Sequence, residues 1–287
     1  RSRRNRASHE PQIAAAAMQA HVGGVIKGLV KENSKYALNE LLASRAPDIS
    51  RKLASISWNA RVGIVLIDEA RLRAYSPRAA VEWALRYETD AGVEETLGGT
   101  WFSQKSGIDK TPIYAESYVS RTAVVPRLEF APEGGPWSRA PEASRVRMTA
   151  NETRTMLKLK AAGWAAEDFT GAIADIEAKC LADDAVAASP WTVENGKAAI
   201  VKSLGAFRLE YEPADVLLQD VVVGQGADKG LFAARRTIAV AAKGSDNFDS
   251  DRELVFGEIV KDEFNVPKLR YARAIFDPLG SPRKPDP

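Results

Sequence analysis

Residues 149–180, TANETRTMLKLKAAGWAAEDFTGAIADIEAKC, contain the clearest helical signals of the chain and decide its expected fold. Thr149 is followed three residues later by Glu152, as in a capping box, where the two side chains accept hydrogen bonds from backbone amides at a helix start. A second helix is indicated by four residues spaced along one amphipathic face: Phe169, Ile173, Ile176 and Cys180. We therefore predict one helix from Thr149 to about Gly163 and another whose stripe, Cys180 included, faces the core.

The chain changes character on the C-terminal side of these helices. A third helix is predicted over 193–204, with Gly205 as its C-terminal stop. Strand-like runs separated by turn residues then follow at 206–211, 216–223, 235–242, 253–260 and 268–276. Helices followed by strands, without regular alternation, indicate an α+β fold rather than a doubly wound parallel sheet.

The N-terminal half gives weaker signals. The run VGIVLI at 62–67 fits either a buried strand or the core of a buried helix. We expect a helix from Pro77, a loop-rich stretch over 92–111 and two strands over 113–130. The overall prediction is an α+β protein, helix-rich in its N-terminal and central parts, with a β-rich C-terminal unit and a basic flexible arm in front.

The predicted domain organisation follows from these changes in texture. The segment APEGGPWSRAPE at 131–142 is rich in proline and glycine and is the best candidate linker. The expected parts are a basic arm at 1–10, a mainly helical region ending in strands at 11–130, the linker at 131–142, a helical and then β-rich region at 143–277, and a proline-containing tail at 278–287.

Few residues of the usual catalytic types are available. The chain has two histidines, His9 and His21, and one cysteine, Cys180. A Ser-His-Asp triad, a Cys-His dyad or a histidine-rich zinc site would need the N-terminus to fold back into a cleft. A single cysteine forms no internal disulfide, and on a core face it is expected to be a small buried hydrophobe rather than a reactive thiol. The sequence therefore favours a protein that is not an enzyme.

Two short motifs are interpreted as turns. The segment GQGADKG at 224–230 is one residue too long for the dinucleotide fingerprint, and we predict a hairpin loop, with an anion site as the alternative. The acidic run DNFDSDRE at 246–253 lacks the glycine and the final glutamate of a calcium loop, so a solvated turn is expected, with calcium or magnesium binding as the alternative. No cofactor and no metal site are predicted.

Charge is balanced overall but not along the chain. The net charge is +2, yet residues 1–75 carry +7 and the remaining residues −5. Four arginines lie within the first six residues: Arg1, Arg3, Arg4 and Arg6. An acid-free, arginine-rich start is typical of an arm that binds a polyanion, and equally of the remainder of an organellar transit peptide.

Candidate binding residues follow from this charge pattern. Lys268 and Arg270 alternate with apolar residues in the last predicted strand, and Arg235 and Arg236 are expected nearby. With Arg1, Arg3, Arg4 and Arg6, these residues would form a nucleic-acid-binding surface of salt-sensitive phosphate contacts. The smooth helical face at 12–30, with Gly23, Gly24 and Gly28, is either part of a bent core helix or a contact with a neighbouring subunit. No stretch is long and apolar enough for a membrane span.

The arrangement of an arginine-rich arm, small-residue helices, an α+β body and a proline-containing tail resembles that of many viral coat proteins and nucleoproteins. In composition alone, the chain is also similar to the Pro-Ala-Ser-rich RNA-coating proteins of some fungal viruses. The resemblance implies a self-associating structural subunit, a capsid or nucleic-acid-coating protein that neutralises RNA phosphates, located in the virion or the host cytoplasm. Two alternatives are an accessory subunit of a mitochondrial complex with a processed presequence, and an enzyme that uses carboxylates and a metal.

Overall fold

The computed structural model describes residues 58–67, 78–89, 92–104, 112–121, 139–166, 168–189 and 192–276. The chain divides into two compact units, Arg1–Ala123 and Val124–Pro287, and each is described by itself below. The predicted basic arm, the glycine-containing helix at 12–30 and the tail at 278–287 lie outside the described residues. The domain boundaries drawn from the sequence stay predictions.

The described part of the first unit is a four-stranded antiparallel sheet. Its strands follow one another in chain order: β1 (Trp58–Ile67), β2 (Arg78–Thr89), β3 (Gly92–Gln104) and β4 (Pro112–Arg121). Of the two interpretations of 62–67, the strand is confirmed. The helix expected from Pro77 is wrong, and so is the loop-rich stretch over 92–104, while 105–111 lie outside the described residues; the helix-rich prediction therefore fails over the described part of this unit.

Glycines explain that error. Gly98 and Gly99 suggested a break in regular structure, but they lie within β3, where they pair with Trp83 and Glu82 of β2. A glycine inside a strand commonly marks a place where another group approaches the backbone closely. The short apolar pattern of 78–89 fits both the helical period of about 3.6 residues and the strand period of about 2. Antiparallel pairing with β3 makes the segment a strand.

The described part of the second unit is α+β, as predicted. It contains three helices, α1 (Ala150–Ala165), α2 (Phe169–Cys180) and α3 (Lys197–Glu210). Its six strands are β5 (Leu181–Ala188), β6 (Val193–Asn195), β7 (Tyr211–Val223), β8 (Leu231–Ala242), β9 (Asp249–Lys261) and β10 (Pro267–Ile275). The strand order is β6-β5-β10-β9-β8-β7, and the β5–β10 pair is parallel while the others are antiparallel.

The two helices predicted most directly are confirmed. The Glu152 amide donates to Thr149 Oγ1 at 3.2 Å, and the Thr149 amide donates to Glu152 Oε2 at 2.7 Å, which completes the capping box. These hydrogen bonds hold the pKa of Glu152 below its ordinary value. In α2, Ile173, Ile176 and Cys180 are buried as the stripe required.

The third helix differs from its prediction. Residues 193–195 form the short strand β6, and the helix begins only after Gly196, whose φ of +84° makes it the residue that needs glycine at this turn. The helix then runs through Gly205 to Glu210, so the predicted stop at Gly205 and the predicted strand at 206–211 are wrong. A β-carbon on Gly205 would meet nothing within 4 Å, so this glycine has no structural requirement of its own.

The sheet curls around the helices. Pairing shifts between Pro213 and Asp215 in β7 and between Leu269 and Tyr271 in β10 are irregularities of the kind that bend and twist strands. Helix α1 packs on β7 and α2, while α3 packs on β5 and β6. A buried cluster fills the space between helices and sheet, with members such as Leu157, Ile176, Leu204, Phe232, Val255 and Leu269.

Residues 139–146 precede α1 and form a short segment, called the strap below, whose backbone amides bond to β9. The backbone amide of Ala140 donates to the buried Glu258 carboxylate at 2.9 and 3.1 Å, and the amide of Val146 donates to the Ile259 carbonyl at 3.1 Å. The segment 224–230 is the hairpin loop between β7 and β8, as predicted. Among the residues that the structure describes, none of the helices has both the length and the apolar character needed to cross a bilayer.

Candidate active site

A cavity of about 290 Å³ lies between the helices and the curled sheet of the second unit. Its volume is at the lower end of the usual range for small-molecule sites, about 300–1,000 Å³. The wall is mostly apolar, and its apolar side chains include Leu157, Ile200, Leu204, Phe207, Val255, Leu269 and Phe276. A site of this size and lining is suited to a small organic molecule rather than to a polymer.

Helix α3 forms one wall of the cavity. Ile200, Leu204 and Phe207 line the cavity at helical spacing of four and three residues, which places them on one face. Tyr211 follows at the start of β7, and its ring stacks on Phe207 with ring centres 5.0 Å apart. The continuation of α3 past Gly205 therefore gives this wall its aromatic end.

Lys160 is the one lysine in the cavity wall. It lies on α1 three residues after Leu157, so both side chains belong to the same helix face. The side chain is half-buried, and no hydrogen bond or ion pair to it is found among the residues that the structure describes. Burial lowers the pKa of the Lys160 amine to about 8, and the positive charge of Arg236 adds to that effect.

Arg236 itself is neutralised by a buried partner. It lies on β8 and forms a salt bridge with Glu253 of β9, whose carboxylate is fully buried. The charge of Glu253, with those of Cys180 and Glu194, only partly offsets the lowering of the lysine pKa.

Glu194 is half-buried on the polar side of the cavity, where Thr192 and Ser203 are exposed to solvent. Its Oε1 accepts hydrogen bonds from the hydroxyls of Thr192 and Ser203, the latter at 3.0 Å. Next to Glu194, a backbone hydrogen bond connects Ser189 and Thr192: the Ser189 amide donates to the Thr192 carbonyl at 2.9 Å. In the described part of the chain, Glu194 Oε2 has no hydrogen-bond partner, so it is available to accept a proton or a ligand donor.

This arrangement can support proton transfer on a bound molecule. At pH 7.5, an amine with a pKa of about 8 is neutral in about a quarter of the molecules, whereas an ordinary lysine is almost wholly protonated. A lysine desolvated in an apolar pocket beside another cation is a recognised form of activated base or nucleophile. Within the described ranges, no group of three or more metal-ligating side chains is found.

Three of the four sheet residues that the sequence assigned to nucleic acid form ion pairs in the structure: Arg235, Arg236 and Arg270. Arg235 lies 2.9 Å from Asp220, and Arg236 pairs with Glu253. Arg270 contacts Asp184 at 2.8 Å and Glu258 at 3.2 Å, and Lys268 is buried. Arg1, Arg3, Arg4 and Arg6 lie outside the described residues, as do Gly23, Gly24 and Gly28. The assignment of all these residues to binding surfaces stays a prediction.

The acidic run at 246–253 is only partly a turn. Asp246 and Asp249 are exposed, as expected, but Asp251 and Glu253 are buried within β9. Pairing with β8 explains the difference, because Arg236 lies opposite Glu253 in the register. Glu253, a possible metal ligand in the sequence, instead forms a salt bridge with Arg236.

Sequence reasoning missed Lys160 and Glu194. The signal for Lys160 was present in α1, where Thr153, Leu157 and Lys160 recur at spacings of four and three, and the first two are buried. A lysine on the buried face of a helix is unusual and therefore indicates a candidate functional residue. Glu194 gave no such signal, since its place depends on the short strand β6.

Comparisons with known proteins give matches of fold only. A search with models of protein families finds no match, and neither does a comparison with curated proteins. Among solved structures, ActVI-ORFA of Streptomyces coelicolor is 14% identical, with 43% of this chain and 93% of that chain covered and a TM-score of 0.35. A SnoaL-like protein of Mesorhizobium loti, described as a candidate polyketide cyclase, is 22% identical, with 45% and 100% covered and a TM-score of 0.32. An epoxide hydrolase of the LEH-like type from Mycobacterium tuberculosis is 16% identical, with 48% and 83% covered and a TM-score of 0.33.

The predictions of a capsid or nucleic-acid-coating protein and of a chain without enzymatic function are wrong. Three of the solved structures that align with this chain are described in their own names as polyketide cyclases or as an epoxide hydrolase. The second unit folds around a mostly apolar cavity of about 290 Å³, which suits a small molecule rather than a polymer. Partners and location stay predictions.

Proposed function

We propose that the second unit is a small-molecule enzyme that binds a largely apolar organic compound in the cavity and moves a proton on it. The observation that carries the proposal is the Lys160 amine, which lies in an apolar wall with no ion-pair partner among the described residues. Keeping a lysine in such a place opposes folding stability, because burial disfavours its charged form. Groups with perturbed pKa values in a cavity are candidates for catalysis.

The two proton-carrying groups have different roles. Lys160 is the base, since its lowered pKa leaves a neutral amine near neutral pH. Glu194, on the polar side, exchanges protons between the cavity and water through its unpaired oxygen. The Phe207–Tyr211 stack provides a flat apolar surface against which a planar substrate can pack.

A model proton transfer tests the proposal without knowledge of the natural substrate. The probe is 5-nitrobenzisoxazole, from which a base takes the C3 proton. The C–H electrons then form the nitrile, the N–O bond breaks, and the oxygen leaves as a coloured phenolate. The rate with the full-length protein is expected to rise with pH around a midpoint near 8, the pKa of Lys160. Lys160→Met should lower the rate at least tenfold.

Helix α3 offers a matched pair of variants for the same assay. Ala206 and Ala198 are both exposed alanines of α3, but only Ala206 lines the cavity. Ala206→Phe should obstruct the cavity and lower the rate several-fold, whereas Ala198→Phe should leave it unchanged. Equal rates for the wild type, Lys160→Met and Ala206→Phe would contradict the proposal.

A further inference from the structure

Resting on the proposed function, the geometry points to a covalent role for the same site: we infer that Lys160 condenses with the carbonyl carbon of an apolar aldehyde or ketone to form an imine. The natural substrate class is therefore a small carbonyl compound whose body is apolar. The inference goes beyond proton transfer, because a base needs only to touch a C–H group, whereas imine formation makes a bond to the lysine nitrogen.

The surroundings of Lys160 meet the requirements of this chemistry. A nucleophilic amine must be free of a fixed carboxylate partner, and Glu253, the buried carboxylate whose charge acts on Lys160, forms a salt bridge with Arg236. Two other lysines of the unit differ in this respect: Lys197 pairs with Asp183 at 2.7 Å and Lys179 with Asp175 at 2.8 Å. Lys160 thus combines access to the cavity with an uncommitted amine among the described residues.

The charged and titratable groups around Lys160 come from four elements. They are Arg236 on β8, Glu253 on β9, Cys180 at the end of α2, and Glu194 on β6. Burial raises the pKa of the Cys180 thiol, and the interaction of Cys180 with Lys160, like those of Glu253 and Glu194, raises the pKa of the lysine. The balance of this set keeps part of the lysine neutral near pH 8.

The condensation balances without an oxidant or a reductant. The lone pair of the neutral amine attacks the carbonyl carbon, and one N–H proton moves to the oxygen, giving a carbinolamine. The hydroxyl then takes a further proton and leaves as water while the nitrogen lone pair forms the C=N bond of an iminium ion. Glu194 is placed on the polar side to relay this proton from solvent, and its carboxylate can accept one from the carbon next to the iminium.

Reductive trapping tests the inference directly. The full-length protein is incubated with benzaldehyde and sodium cyanoborohydride, which reduces an iminium ion to a stable benzylamine. Intact mass and peptide mapping then locate the label. The first benzyl group is expected on Lys160, more than tenfold faster than on any exposed lysine, and 2-naphthol, which has no carbonyl, should slow the labelling by occupying the cavity.

Two variants on α1 form the control. Lys158 is exposed on the same helix, two residues away. Lys158→Met should be labelled like the wild type, while Lys160→Met should lose the fast label. Label spread evenly over exposed lysines in the wild type would overturn the inference even if Lys160→Met did not fold, because peptide mapping needs only the wild-type chain.

The outcomes separate this inference from the proposed function. Lys160-dependent elimination of 5-nitrobenzisoxazole, with no preferential benzylation of Lys160, would overturn imine formation and leave the proton-transfer function standing. Absence of both reactions would overturn both. Preferential labelling of Lys160 together with Lys160-dependent elimination is the result that supports both.

Discussion

Lys160 affects stability as well as chemistry. Its amine has a pKa of about 8 in the folded chain, against an ordinary value of 10.5 that it regains on unfolding. Between these two values the unfolded chain binds more protons, so folding stability rises with pH across that window. Below pH 8, the burial of Lys160 lowers the free energy of unfolding by its full amount, which is at most roughly 3 kcal/mol.

Lys160→Met removes this cost while retaining the apolar stem. At pH 7 we expect the variant to be more stable than the wild type, by up to about 3 kcal/mol, with the gain shrinking as the pH rises from 8 towards 10.5. Urea unfolding of both proteins at pH 7 and pH 10 measures the difference. A gain that is the same at both pH values would show that Lys160 has an ordinary pKa.

At the scale of elements, two glycines have opposite expected effects. Gly205 lies inside α3 with no neighbour against a β-carbon, so Gly205→Ala should raise stability by about 0.5–1 kcal/mol through helix propensity. Thermal unfolding followed by circular dichroism at 222 nm measures this change. A destabilised Gly205→Ala variant would indicate that the helix does stop at Gly205, as the sequence alone suggested.

Gly257 on β9 is the contrasting position. A β-carbon there would lie 2.3 Å from Cζ of the fully buried Phe232 and 2.6 Å from the Tyr271 carbonyl oxygen. Gly257→Ala should therefore lower stability by about 1–3 kcal/mol, because a packed core gives way only with strain. Thermal unfolding followed by circular dichroism measures this change as well. A Gly257→Ala variant as stable as the wild type would mean that Phe232 and the Tyr271 carbonyl lie farther from Gly257 than described.

Local signals in the sequence were sufficient for some elements and not for others. The capping box at Thr149 and the stripe ending at Cys180 are short-range features, and both were predicted correctly. Gly205 and the pair Gly98–Gly99 misled because a glycine signals a break only when tertiary contacts require one. The site could not be predicted as a whole, since Lys160 and Arg236 meet through the packing of α1 against the sheet, 76 positions apart in the chain.

At the scale of the whole molecule, the second unit has its own core and its own cavity. Its N-terminal limit is set by the strap, because Ala140 and Val146 bond to Glu258 and Ile259 of β9. A fragment of residues 124–287 should fold cooperatively, whereas one of residues 150–287 should be less stable by several kcal/mol, since the buried Glu258 loses the Ala140 amide and Arg145. Denaturation curves of the two fragments compare them, and equal midpoints would show that the strap contributes nothing.

The proposed active site requires the Lys160 amine to be partly uncharged near neutral pH. Competitive labelling of the full-length protein with trace acetic anhydride over pH 6–11, read by peptide mapping, gives the titration midpoint of each lysine. We expect a midpoint near 8 for Lys160, well below that of the exposed Lys158 on the same helix. A shared midpoint for these two lysines would contradict the proposed active site.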